Sequence, residues 1–141
     1  MMVSWATIAY GVWACQTRPR THVLIQAQKE DKAYDLVGSD PSGYARTLYE
    51  QQPIWLKEAF PLNGDIKLAR MAWDNGSVLQ GVPKGPEQVR QYHPTMLIVD
   101  EASFVDDFQS SYEAGDPVCG QIIAISSAAP GWFCDLGVEA V

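Results

Sequence analysis

Cysteine and histidine are scarce in this chain, which limits the metal and disulfide sites that it can build. The three cysteines (Cys15, Cys119 and Cys134) form no C-x-x-C pair, and the two histidines do not form a cluster. Structural zinc sites need clustered Cys and His ligands, and a disulfide framework normally uses an even number of cysteines. The sequence therefore indicates neither kind of site and favours a reduced, cytosolic setting.

Basic residues are also in the minority. The 141 residues contain 10 lysines and arginines against 17 acids, which gives a formal net charge of −7. Proteins that hold nucleic acid through their overall charge depend on clustered Lys and Arg, because these side chains neutralise phosphates. Binding through global charge is therefore not indicated, and the two arginines within residues 17–21 leave only a local basic patch open.

No apolar run is long enough to predict a membrane-spanning helix. Residues 1–15 are strongly apolar, but a helix needs about 20 such residues to cross a bilayer. An export signal requires a lysine or arginine ahead of its apolar run, and none precedes this run. Trp5, Ile8, Ala9 and Val12 instead recur at i, i+3, i+4 and i+7, which predicts a helix buried against a sheet. This helix begins without a capping residue.

The rest of the sequence predicts one α/β domain. A chain of this length with 47% hydrophobic residues can bury one ordinary core. The predicted elements are strands at residues 21–27, 95–101 and from residue 121, helices at residues 29–37, around Tyr44 and Leu48 and at 87–92, and a hairpin at Asn75-Gly76. This order is typical of a largely parallel sheet flanked by helices and a hairpin.

Two of the predicted strands end in polar residues. Asp100 and Glu101 close one apolar segment, and Ser126 and Ser127 follow another. In open α/β sheets, ligands bind beyond the carboxyl ends of the strands. Phosphoryl transfer to water needs a metal ion and a group that orients the water. Two adjacent carboxylates can divide these tasks, with Asp100 binding Mg²⁺, Glu101 polarising the water and a neighbouring hydroxyl sensing the γ-phosphate.

A simpler interpretation of the same residues remains open on spacing alone. Ser103 and Asp106 form an S-x-x-D pattern, so the acids could merely precede a helix whose first turn is capped by Ser103. Serines after a strand commonly form turns. Arg90, ten residues before Asp100, is by itself typical of a surface arginine.

Residues 74–105 and 121–133 resemble the ATPase domain of phage terminase large subunits. Residues 3–33 also fit this family, as the helix after the phosphate loop, the second strand and its helix. The shared features are a G-S-x-x-x-G-x-P segment, an arginine, an apolar strand that ends in Asp-Glu-Ala, and a later strand that ends in small hydroxylated residues. The resemblance implies a P-loop NTPase core of the additional-strand, catalytic-glutamate type. It also implies ATP and Mg²⁺ as ligands, and coupling of ATP hydrolysis to translocation of double-stranded DNA into a procapsid.

The resemblance assigns roles to five residues. Asp100 corresponds to the Mg²⁺-associated acid, Glu101 to the catalytic glutamate, and Arg90 to a candidate arginine finger. Ser126 and Ser127 match the coupling motif of the family. The partners implied are double-stranded DNA, a portal protein, a terminase small subunit and further copies of the full-length protein, in the cytoplasm of a bacterial host.

One motif of the family is missing from these residues. No G-x-x-x-x-G-K-[ST] loop occurs, although this loop and its lysine hold the phosphates. We expect residues 1–141 to be part of an ATPase domain, truncated before the phosphate-loop strand, without the nuclease domain and unable to hydrolyse ATP unaided. Loss of that strand would also leave an apolar sheet edge prone to association. The alternatives are a fragment of another P-loop translocase or helicase, and a non-catalytic α/β binding module.

Overall fold

A five-stranded sheet organises the chain. The computed structural model describes residues 2–105, 108–127 and 129–139. The strands are β1 (His22–Gln26), β2 (Arg70–Ala72), β3 (Val78–Gly81), β4 (Met96–Asp100) and β5 (Gln121–Ile125). The helices are α1 (Met2–Thr17), α2 (Glu30–Asp35), α3 (Tyr44–Glu50), α4 (Ile54–Ala59), α5 (Pro86–Tyr92), α6 (Phe108–Gly115) and α7 (Trp132–Glu139), with a 3₁₀ turn at Ala102–Phe104.

The sheet has the order β2-β3-β1-β4-β5 and is mostly parallel. Strands β3, β1, β4 and β5 run in one direction, and among the five strands of the described residues β2 alone pairs antiparallel, with β3. The register sets Asp100 of β4 opposite Ile125 of β5. The carboxyl ends of these two strands therefore lie side by side, and the prediction of a largely parallel α/β sheet is confirmed.

The hairpin forms at the predicted position. Gly76 has a φ of +86°, which glycine adopts without steric cost. The side-chain oxygen of Asn75 accepts a hydrogen bond from the main-chain N–H of Ser77 at 2.9 Å, and its amide donates to the carbonyl of Cys15 at 2.8 Å. Asn75 therefore shapes the turn and also fastens it to the carboxyl end of α1.

Two apolar layers cover the sheet. One layer includes Ile8 and Val12 of α1, Met71 and Trp73, and the other includes Val89 of α5 and Phe108 of α6. Residues Met96–Val99 of β4 are buried, as predicted for a strand covered on both faces. The predicted inner face of α1 is confirmed at Ile8 and Val12, which are buried, whereas Trp5 and Ala9 are half-buried.

The helix after β4 begins later than its sequence pattern indicates. Instead of capping a helix, Ser103 lies in the 3₁₀ turn, where the N–H of Phe104 donates to the carbonyl of Glu101 at 2.9 Å. Helix α6 starts at Phe108. The other half of the predicted cap, Asp106, lies outside the described residues.

Strand β5 forms one edge of the described sheet and pairs with β4 alone. Its residues Ile122–Ile125 are half-buried, whereas those of β4 are fully buried. Helix α1 bears no charged residue, and its Trp13 is 47% exposed. Within residues 2–105, 108–127 and 129–139, no helix combines the length and apolar character needed to cross a membrane.

Candidate functional site

A cleft of about 340 Å³ opens at the carboxyl ends of β4 and β5. It is lined by Val3, Ser4, Asp100, Glu101, Ala124, Ile125, Ser126, Ser127 and Phe133. Four of the five residues singled out in the sequence are therefore brought together at one place. The fifth, Arg90, does not line the cleft.

Asp100 is the last residue of β4, and a hydroxyl group from another residue that lines the cleft contacts it. The Oγ of Ser4 donates a hydrogen bond to Oδ1 of Asp100 at 2.9 Å, across 96 positions of sequence. Ser4 lies in the first turn of α1, where main-chain N–H groups have no partner within the helix and the helix dipole favours negative charge. The cleft therefore combines a carboxylate, a hydroxyl and the amino end of a helix.

Sequence reasoning missed Ser4 as a site residue. The residue lies in an apolar segment whose pattern predicts a buried helix and no site residue. A usable signal was present, because Ser4 is a hydroxyl residue in the first turn of the helix that the resemblance sets directly after a phosphate loop.

Glu101 follows β4 in a left-handed conformation, with φ of 51° and ψ of 48°. A residue with a Cβ adopts this region at a cost of about 1–3 kcal/mol, and such conformations cluster where function requires them. The turn moves Glu101 out of the strand direction, so that Asp100 and Glu101 both line the cleft rather than facing opposite sides of the sheet.

Ser126 and Ser127 follow β5 and are tied to the turn after β4 through Ser103. The main-chain N–H of Ser103 donates to Oγ of Ser126 at 3.1 Å. The Oγ of Ser103 donates to the main-chain carbonyl of Ser127 at 3.3 Å. The two strand ends are thus cross-linked by two hydrogen bonds, both of which involve Ser103.

Arg90 lies on the last turn of α5, away from the cleft. Its side chain is 60% exposed, and Nη1 is 3.0 Å from Oε1 of Glu87 one turn earlier. The start of α5 is held by the fully buried Gln26, whose amide donates to the carbonyls of Pro83 and Gly85 at 3.0 Å each. Arg90 is therefore a surface cation on an anchored helix, accessible to another molecule.

The donor groups of the cleft suit a hard, oxygen-preferring cation. Mg²⁺ is usually held by one or two carboxylates together with water and substrate oxygens. Asp100 supplies a carboxylate, and Ser4 supplies a hydroxyl oxygen within hydrogen-bond distance of it. In the part of the chain that the structure describes, no group of three or more His, Cys, Asp or Glu residues could hold a metal ion by itself. The residues thus fit Mg²⁺ bound jointly with a phosphate ligand.

Comparison with known proteins gives matches by structure and none by sequence. No family model matches the chain, and no curated protein matches it. The chain is similar in structure to the large terminase ATPase domain of Thermus phage P74-26, with a TM-score of 0.52 and 13% identity over 91% of this chain. An arginine-to-alanine mutant of that domain gives a TM-score of 0.55 and 16% identity over 93% of this chain.

These similarities establish the fold. The chain shares the mixed α/β fold of that large terminase ATPase domain, and the prediction of a largely parallel sheet flanked by helices and a hairpin is confirmed. The chain spans 57–58% of the length of those two structures.

Proposed function

We propose that residues 1–141 form part of the ATPase domain of a viral DNA-packaging motor, which couples ATP hydrolysis to the translocation of double-stranded DNA. The main support is the convergence of Asp100, Glu101, Ser126 and Ser4 on one cleft at the carboxyl edge of the sheet. In open α/β sheets, ligands bind beyond the carboxyl ends of the strands. The cleft lies within a fold similar to that of a large terminase ATPase domain.

Each residue of the cleft has a distinct task in this proposal. Asp100 and Ser4 would hold Mg²⁺ together with the phosphates of ATP, and the amino end of α1 would attract the negative charge of the phosphates. When bound, Mg²⁺ neutralises the charge that develops on the phosphates. Glu101 accepts a hydrogen bond from the attacking water and aligns it with the γ-phosphate. Ser126 and Ser127 contact the γ-phosphate from the neighbouring strand.

Arg90 acts from outside the cleft in this proposal. Because it is exposed on α5 and lies away from the nucleotide site of its own chain, it would reach a nucleotide only in a neighbouring subunit. An arginine supplied in this way stabilises the charge of the transition state. This role requires several copies of the full-length protein around the DNA. The portal protein and the terminase small subunit are further partners in the proposal.

The proposal is tested with a loop-extended chain, in which a β-strand and a G-x-x-x-x-G-K-[ST] loop are joined ahead of Met2. We expect this chain to bind Mg²⁺·ATP and to hydrolyse it. Glu101→Gln should keep nucleotide binding and lower the turnover number by about 100-fold or more, because a group that positions or activates water contributes about that much. Asp100→Asn should weaken the binding that depends on Mg²⁺.

Glu87→Gln is the matched control, because Glu87 is an exposed glutamate outside the cleft whose ion-pair partner is Arg90. It should leave both binding and turnover of a single subunit unchanged. Turnover that survives Glu101→Gln, in a chain that still binds ATP, would contradict the motor assignment. It would favour a non-catalytic binding module in which Asp100 and Glu101 merely end a strand.

A further inference from the structure

A groove lies between α1 and α4, at the end of α1 that is far from the cleft. It consists of two cavities of about 410 and 430 Å³, which share Gln16, Thr17 and Phe60. Gln16 follows Ser4 by twelve residues, so the groove lies about 18 Å from the cleft along the helix. The two cavities together are named the α1–α4 groove, and the proposed function does not use them.

Most of the α1–α4 groove is apolar. The second cavity includes Pro19, Pro61 and Trp73. Cavities of this size that are lined mainly by apolar and aromatic residues are typical of ligand sites. Each cavity therefore suits one bulky apolar side chain. The apolar residues of the first cavity come from α1, α3 and α4 and its end, and they are Ala9, Val12, Trp13, Leu48, Leu56 and Phe60.

Two glutamines supply hydrogen-bond donors within the groove. The amide of Gln16 donates to Oε1 of Gln52 at 2.7 Å, and the amide of Gln52 donates back to Oε1 of Gln16 at 3.0 Å. A glutamine amide carries two hydrogens, and this reciprocal pair uses one from each residue. Among the described residues, no protein acceptor takes the other two hydrogens. The pair can therefore donate to a carbonyl oxygen of a bound molecule.

A cation lies beside the first cavity. The guanidinium carbon of Arg18 is 5.2 Å from the centre of the Trp13 ring, and Arg18 is exposed. In the part of the chain that the structure describes, no carboxylate lies within ion-pair distance of Arg18. A guanidinium held in this way is suited to bind a carboxylate. Asp74 lines the second cavity and repels a further negative charge there, so the carboxylate belongs at the Trp13 end.

We propose that the α1–α4 groove binds a segment of another protein that carries two bulky apolar side chains and one acidic residue. One apolar side chain enters each cavity, and the Gln16–Gln52 pair donates to a main-chain carbonyl between them. Arg18 pairs with the acidic residue beside the first cavity. A nucleic acid is disfavoured as the occupant, because its phosphates need clustered cations and not one arginine.

The first experiment uses the 141-residue chain and short capped peptides as probes. Each peptide carries two phenylalanines at varied spacing and one aspartate beside one of them, and a matched set carries asparagine instead. NMR follows the side-chain amide signals of Gln16 and Gln52. We expect an aspartate peptide to shift both signals with a Kd of about 1 mM or tighter. Its asparagine counterpart should bind about threefold more weakly, as expected for an exposed ion pair.

The second experiment assigns the binding to the groove. Trp13→Ala should weaken both peptides on the order of tenfold, because it removes an aromatic wall. Trp55→Ala is the matched control, since Trp55 is an exposed tryptophan of α4 that lines neither cavity. It should leave both affinities unchanged. Arg18→Gln should remove the preference for aspartate and leave the asparagine peptide unaffected, because only one of the two peptides carries the paired charge.

Several results would overturn the proposal. They are the absence of a shift with every peptide, equal binding of the aspartate and asparagine peptides, and equal effects of Trp13→Ala and Trp55→Ala. If N-acetylphenylalaninamide binds as tightly as the peptides, the groove takes a small apolar ligand instead. If the Gln16 and Gln52 signals shift with protein concentration alone, a second copy of the chain occupies it. None of these results bears on the nucleotide site, which lies at the other end of α1.

Discussion

Replacing Glu101 by glycine should stabilise the fold while it removes the proposed catalytic group. Glu101 has φ of 51° and ψ of 48°, a left-handed conformation in which a Cβ crowds the main chain. Glycine has no Cβ and adopts this conformation freely. The residue proposed for catalysis is therefore also a point where the chain stores backbone strain.

The size of the effect follows from two opposing terms. Relief of the left-handed conformation is worth about 1–2 kcal/mol. The greater freedom of glycine in the unfolded chain takes back about 0.4–1 kcal/mol. We therefore expect Glu101→Gly to exceed Glu101→Ala in free energy of unfolding by about 1 kcal/mol, which corresponds to a rise in Tm of about 3 °C for a chain of this size.

The comparison with alanine isolates the backbone, because both substitutions remove the carboxylate. Unfolding in urea, followed by tryptophan fluorescence, gives the free energies of the two variants. Glu113 in α6 is the matched control, since it is an exposed glutamate in a right-handed helix. There the order should reverse, with alanine more stable than glycine by about 0.5–1 kcal/mol. If glycine is no better than alanine at position 101, the strain argument is refuted.

Two further predictions concern titratable groups whose pKa is shifted by burial. Burial raises the pKa of the Cys15 thiol to about 12. Ellman's reagent should therefore label exposed Cys134 in a fast phase and Cys15 only after unfolding. If a Cys134→Ser chain keeps the fast phase of labelling, this prediction is contradicted. Burial, as the largest cause, lowers the pKa of His22 from its ordinary 6.5, so the folded chain binds fewer protons than the unfolded chain. Its free energy of unfolding should therefore fall as the pH drops below about 6.5. His22→Gln should make the free energy of unfolding depend less on pH in this range. An unchanged dependence would show that other groups cause it.

Part of the candidate site was predictable because its residues directly follow apolar strands. Asp100, Glu101, Ser126 and Ser127 occupy the ends of two strands, and neighbouring parallel strands end at the same edge of a sheet. Local spacing together with this one rule was enough to group them. The hairpin was predictable for a similar reason, since Asn75 and Gly76 determine their turn locally.

Residues that act across long distances in sequence were not predictable. Ser4 meets Asp100 only because α1 packs beside the sheet, and no local pattern encodes that contact. Ser103 had the spacing of a helix cap, but its donors found partners after β5 instead. Helix α4 was missed because it begins after Pro53 and exposes Ile54 and Trp55, so it has no apolar face that points inward.

The edge of β5 can pair with a further strand, and the direction of that strand determines which of its ends lies at the cleft. A segment that adds to this edge in the same direction as β5 would finish at the cleft, and one that adds in the opposite direction would start there. Only the first arrangement leads the segment from the strand into a loop beside Ser126 and the amino end of α1. The orientation of strand pairing at a single edge therefore determines whether the residues that reach the cleft follow the added strand or precede it.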